Sequence, residues 1–252
     1  MKYKRDKKIQ PASGIRNLHM AKLAGRCIIC CLCGLLYAKN RASFEILDGL
    51  NFFRHLSPFH ILWVIWMCSM LLQIIPIRGK IPLGSQKLFR LRFRPIREKV
   101  NVQSLKQYIV TTTKSAYKVF IIWTALIIVL GVLHSHKSID DSFLLMTTVV
   151  FYVCDLICVL IWCPFRLIIH NRCCTTCRIF NWDHLMMFSP QLFVAGFFSL
   201  SLLLMSVVAW IVWELSVLLH PERFWEHSND ALKCANCTDK LCTQYCRKLR
   251  EN

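Results

Sequence analysis

Four cysteines fall within thirteen residues near the C-terminus: Cys234-Ala-Asn-Cys237, then Cys242, then Cys246. The spacing is C-x2-C-x4-C-x3-C. A C-x2-C turn points two sulfurs at one centre, and two further thiolates nearby complete a tetrahedral set. The chemistry this suits is a closed structural zinc site or an iron–sulfur cluster, which uses the same number of ligands. The spacing approaches that of a zinc knuckle, with Cys where that motif has His. Disulfide pairing is the alternative for a tail facing an oxidising compartment, and plain reduced thiols are the third.

A second cluster reads Cys173-Cys174-Thr-Thr-Cys177, followed by Arg178, Asn181, Trp182, Asp183 and His184. Adjacent cysteines bind one ion together only with strain, so one of the first two with Cys177 is the natural pair, and His184 or Asp183 completes a metal or redox site. Arg172 and Arg178 are expected to lower the thiol pKa values and raise the thiolate fraction; an inert reduced loop is the competing reading. The third cluster, Cys27, Cys30, Cys31 and Cys33, sits inside an apolar run, where packing or acylation suits it better than ligation.

The elements that must carry these clusters are membrane helices. Hydrophobic residues make up 55% of the 252 and mean hydropathy is +0.42, yet the net charge is +18. A soluble fold has nowhere to hide that much apolar surface, whereas a membrane protein turns it to lipid and keeps its charge in the connections. The basic residues cluster between long apolar runs, so they are read as orientation signals and contacts to anionic headgroups through 78–118, with no nucleic acid as partner.

About 20 apolar residues cross a bilayer, and four runs qualify, at about 59–77, 118–135, 142–169 and 191–219. The expected fold is an all-α integral membrane bundle of four helices, five if the short run 27–38 also crosses, with a cysteine-rich C-terminal tail. That short run also resembles a signal-peptide core behind a basic stretch. The domains are then a basic N-terminal region 1–57, a transmembrane domain 58–220 and a tail 221–252. Eleven Lys and Arg between Arg78 and Lys118 put that segment inside. On this count 165–190 is also inside and the tail outside. The alternation in KLFRLRFRPIREKV suits a strand, an interfacial segment or a solvated loop.

Ionisable residues within spans are costly and so carry weight. Asp155 lies in the third run with Tyr152 and Cys158 on its helical face. It fits a helix–helix hydrogen bond that fixes packing, or a proton or cation site in a small transporter. His134, His136, Asp140 and Asp141 in HSHKSIDD form either an outer metal site or a solvated turn. No nucleophile elbow, Gly-rich phosphate loop or HExxH occurs, so no catalytic residue is expected and the chain reads as a non-enzyme.

Four stretches together resemble an uncharacterised family of multispanning, cysteine-rich bacterial membrane proteins. They are Leu83-Gly-Ser-Gln-Lys87, CDLICVLIWCPF from Cys154, NRCCTTCRIFNWDHLMMFSP from Asn171, and HPERFWE with LKCANCTDKLC between His220 and Cys242. The resemblance covers roughly Phe59 to Cys246. It implies a bacterial plasma-membrane location and lends no activity. Three readings follow: a multi-pass protein with a structural or contact-mediating metal module, a membrane redox or thiol–disulfide protein, and a small transporter built on Asp155.

Overall fold

The structure, a computed structural model, describes residues 14–75, 83–96, 100–171, 173–233 and 236. Eight α-helices occur among them: α1 Gly14–Lys39, α2 Phe59–Ile74, α3 Leu83–Gln86, α4 Val102–Ser135, α5 Asp141–Leu160, α6 Arg166–Ile169, α7 Asp183–Phe188 and α8 Phe197–Leu219. No strand forms among the described residues beyond two isolated bridges, Gly49 with Gly196 and Pro95 with Asn229.

Four helices are long and apolar enough to cross a membrane: α1, α4, α5 and α8. The short run 27–38 is therefore part of a 26-residue helix, and α1 packs along α5. By contrast, the run at 59–77 yields only the 16 residues of α2, about 24 Å. The run at 118–135 is the last half of α4, which has 34 residues and starts where the Asn101 side chain accepts from the Gln103 and Ser104 backbone N–H groups. The run at 142–169 stops at Leu160. Pro164 cannot donate to a helix, and α6 restarts only at Arg166.

The remaining difference concerns 191–219. Helix α8 begins at Phe197, and the residues before it form a separate passage through the bundle. Trp182 donates its indole N–H to Glu214 near the C-terminal end of α8, at 2.8 Å. From there α7, a 3-10 turn over Ser189–Phe193 and an extended stretch reach Gly196, where α8 starts back. Irregular backbone at membrane depth needs burial in protein, and this passage has it: Phe188 and Gln191 are 0% and 1% exposed. Gln191 bonds Thr148 at 2.9 Å and accepts from Ser199 at 2.7 Å. Gly196 is pressed against the Leu47 carbonyl so closely that a Cβ has no room.

Among the described residues the chain thus runs along the bundle six times, and both ends of the described chain lie at the same end. That end is a cap. Arg223 donates to the Leu88 carbonyl at 2.9 Å, and the Arg94 carbonyl accepts from the Asp230 N–H at 2.8 Å. Tyr108 stacks on Trp225. A core of Leu88, Val119, Ile179, Trp182, Trp213, Val217 and Phe224 holds it together. The expectation that 78–118 and the tail lie on opposite sides is therefore overturned for residues 220–233. The extra passage through 182–196 changes the parity of crossings.

Charge divides the same way. Of the eighteen described Lys and Arg, only Lys39, Arg41, Arg54 and Lys137 lie at the opposite end. The other fourteen lie in the cap half. Of the segment Lys87–Val100, read as a strand, an interfacial segment or a solvated loop, the described residues form a 3-10 turn over Arg90–Arg92 and irregular chain, with no strand beyond the bridge of Pro95 with Asn229.

Candidate functional site

Two groups of polar side chains remain once the apolar packing is accounted for. The first is in the cap. Helix α6 ends at His170 with φ +54°, and Asn171 then organises the cysteine turn. Its Oδ1 accepts from the Cys173 N–H at 3.0 Å and from the Thr176 hydroxyl at 3.1 Å. A 3-10 turn over Cys174–Thr176 follows. Lys87 Nζ donates to the Cys177 carbonyl at 3.4 Å, and the Ser85 hydroxyl donates to Asn181 at 3.1 Å. Cys174 and Cys177 are free thiols, and the Cys173 sulfur lies 2.8 Å from the Thr175 hydroxyl.

Arginine was expected to make these thiols acidic, and here the structure differs. Burial pushes the Cys177 thiol up to about 12, with neighbouring Cys174 adding to the effect. Burial also raises Cys174, only partly opposed by Arg166. Arg178 is committed elsewhere: it holds Glu214 through two bonds of 2.9 and 2.6 Å. Lys87 is itself buried, which pulls it down to about 8. Its ammonium lies 5.2 Å from the Trp213 ring and 5.5 Å from the Phe224 ring. Cys163 lies just past the end of α5, where a hydrogen bond from Cys158 draws its thiol down.

The second group is inside the bundle. Arg26 of α1 donates to Asp155 at 2.7 Å and to the Tyr152 carbonyl at 2.6 Å, with its guanidinium 3.9 Å from the Tyr152 ring centroid. Asp155 thus has a partner that holds α1 against α5, which is the packing role considered for it. His184 does not join the cysteines. Its Nε2 lies 3.0 Å from the Ser69 hydroxyl of α2, and Gln73 donates to Asp183 at 3.3 Å. His184 Nδ1 and Asp183 Oδ1 lie 3.1 Å apart without hydrogen-bond geometry, and neither atom has another partner. The convergence of these residues depends on the broken passage, for which an apolar-run search carries no signal.

At the opposite end, His134 pairs with Asp141 at 2.7 Å and Arg41 with Asp140 at 3.4 Å. They line an open cleft of about 750 Å³ together with Glu45, Asp48 and Lys137. Among the described residues, no three His, Cys, Asp or Glu side chains gather as metal ligands do. Cys234, Cys237, Cys242 and Cys246 lie outside the described residues. In α1, Cys33 is buried in the core while Cys27 and Cys31 are exposed. No protein-family model, curated protein or solved structure matches the chain.

Proposed function

We propose that this chain is a multi-pass bacterial plasma-membrane protein whose cytoplasmic cap carries a four-cysteine metal centre. The ligands are Cys234, Cys237, Cys242 and Cys246, the ion is zinc or an iron–sulfur cluster, and its role is structural or contact-mediating rather than catalytic. One observation carries this reading. The chain leading into the tail is fastened to the basic end, through Arg223 to Leu88 and through Asp230 to Arg94. An excess of thirteen cations, leaving out Arg26 inside the bundle, over four is the mark of a cytoplasmic side. The cytosol keeps thiols reduced, so the disulfide alternative loses ground and metal ligation gains it. The bacterial setting rests on the family resemblance. The basic cap also supports contact with anionic headgroups, in which exposed Arg90, Arg92 and Arg94 take part.

A thiol-redox role is the second reading, favoured by the placing of Cys163, Cys174 and Cys177 at that same end. Metal content and visible absorption of protein purified without oxygen separate the two, against a Cys234→Ser, Cys237→Ser double variant. Zinc lost in the variant supports a structural centre. A brown protein that bleaches in the variant supports electron transfer. Metal-free wild-type protein overturns the ligand assignment.

A further inference from the structure

Two pairs of charged or titratable groups lie within the bundle: Arg26 of α1 with Asp155 of α5, 2.7 Å apart, and Asp183 with His184 at the start of the broken passage, 3.1 Å apart. Both Asp183 and His184 act electrostatically on Asp155. Helix α2 adds Ser69 and Gln73, which carry no charge. Helix α8, packed on α7, brings Glu214, already neutralised by Arg178. Helix α5 adds the Tyr152 phenol, whose ring lies against Arg26, and the Cys154 and Cys158 thiols.

The count of charges is therefore short by one. With neutral His184, two carboxylates face one guanidinium. An uncompensated anion in a poorly solvated site is costly, and one proton restores the balance. The imidazole is placed to take it. His184 is 9% exposed, Ser69 holds its Nε2 side, and its Nδ1 faces Asp183 Oδ1 with no other partner on either atom.

The cap side is the nearer one. Asp183 directly follows the cap residue Trp182, and its side chain keeps 19% exposure. Gln73 is in the last turn of α2, which ends at the cap. On the other side Trp66 and Phe188, both 0% exposed, meet edge to face with ring centroids 5.2 Å apart.

We propose that Asp183 and His184, backed by the Arg26–Asp155 pair, form a proton-binding site at membrane depth that exchanges with the cap side only. It binds one proton on the imidazole and serves as the loading site of a proton-coupled function. This is independent of any metal in the tail.

The test is imidazole NMR of histidine-labelled full-length protein in oriented proteoliposomes, with the two baths buffered separately. One resonance, assigned by its loss in His184→Gln, titrates in a single step between about pH 5 and 8 and follows the cap-side bath. In Asp183→Asn, which keeps the amide contact to Gln73, the midpoint falls by at least about one pH unit. A His184 signal that does not titrate in that window overturns the proposal. So does one that follows the opposite bath, or an unchanged midpoint in Asp183→Asn. A melting curve for each variant checks that the bundle stands.

Discussion

Two arginine–carboxylate pairs divide the molecule between them, and they are built differently. In the cap, Arg178 grips Glu214 with both terminal nitrogens, Glu214 also accepts from the Trp182 indole, and the Arg178 carbonyl accepts from the Trp213 indole at 3.0 Å. In the bundle, Arg26 reaches Asp155 through one nitrogen, beside an Asp183–His184 pair whose facing atoms lack directed partners. A charge network with every atom engaged is rigid. One with vacancies keeps a capacity for change. The cap pair serves architecture, and the bundle pair stands beside the site proposed for protons.

The largest effect expected from this contrast is at the cap. Glu214→Ala leaves a buried guanidinium without its counter-charge and costs about 3–5 kcal/mol, read as a lowered melting temperature in detergent. If Asp155→Ala costs more than Glu214→Ala, the contrast fails.

Lys87 sharpens the same point through pH. Its folded pKa is about 8 against an ordinary 10.5, so between those values the unfolded chain binds the extra proton. Cap stability therefore rises with pH across that window, by up to about 3 kcal/mol. Lys87→Met is expected to flatten that slope, measured by denaturation at pH 7.5 and about 10.5.

A smaller cost is expected in the bundle. Asp155→Asn and Arg26→Gln each lose a charged hydrogen bond, worth about 1.5–3 kcal/mol. The double variant should cost less than the sum, since the two side chains touch. Strict additivity in chemical denaturation would mean that the pair does not hold α1.

The smallest effect is one of rate and leaves stability unchanged. Maleimide labelling near pH 7.5 should modify Cys163 ahead of Cys177, because the thiolate is the nucleophile and burial holds Cys177 protonated. Faster reaction at Cys177, followed by peptide mass spectrometry, would show the cap turn to be open.

The apolar runs made the long helices legible. Runs of Leu, Ile, Val and Phe report lipid contact directly, and α4, α5 and α8 coincide with them in part. Their ends were less legible, because α4 continues below its apolar half through Lys114 and Lys106, where cap packing replaces lipid. The passage through 182–196 was not legible as a crossing. Asn181, Asp183, His184 and Gln191 break its hydropathy, and their burial depends on partners in α2, α3 and α5 that lie far away in sequence. That one omission reversed the side assigned to residues 220–233. Asp155 was visible as an anomaly, whereas its partner Arg26 looked like part of a basic leader.

Helix α4 deserves a mechanical reading. Its 34 residues make a rod of about 51 Å, against a hydrocarbon layer of about 30 Å. A layer of that thickness leaves roughly 20 Å of the rod over, and Tyr108, stacked against Trp225, lies near its cap-side tip. A thinner or thicker bilayer changes the tilt of such a rod, and a tilt of about 10° swings the tip by about 3–4 Å. A rod of this length can act as a lever arm, turning a change in bilayer thickness into lateral displacement at the cap.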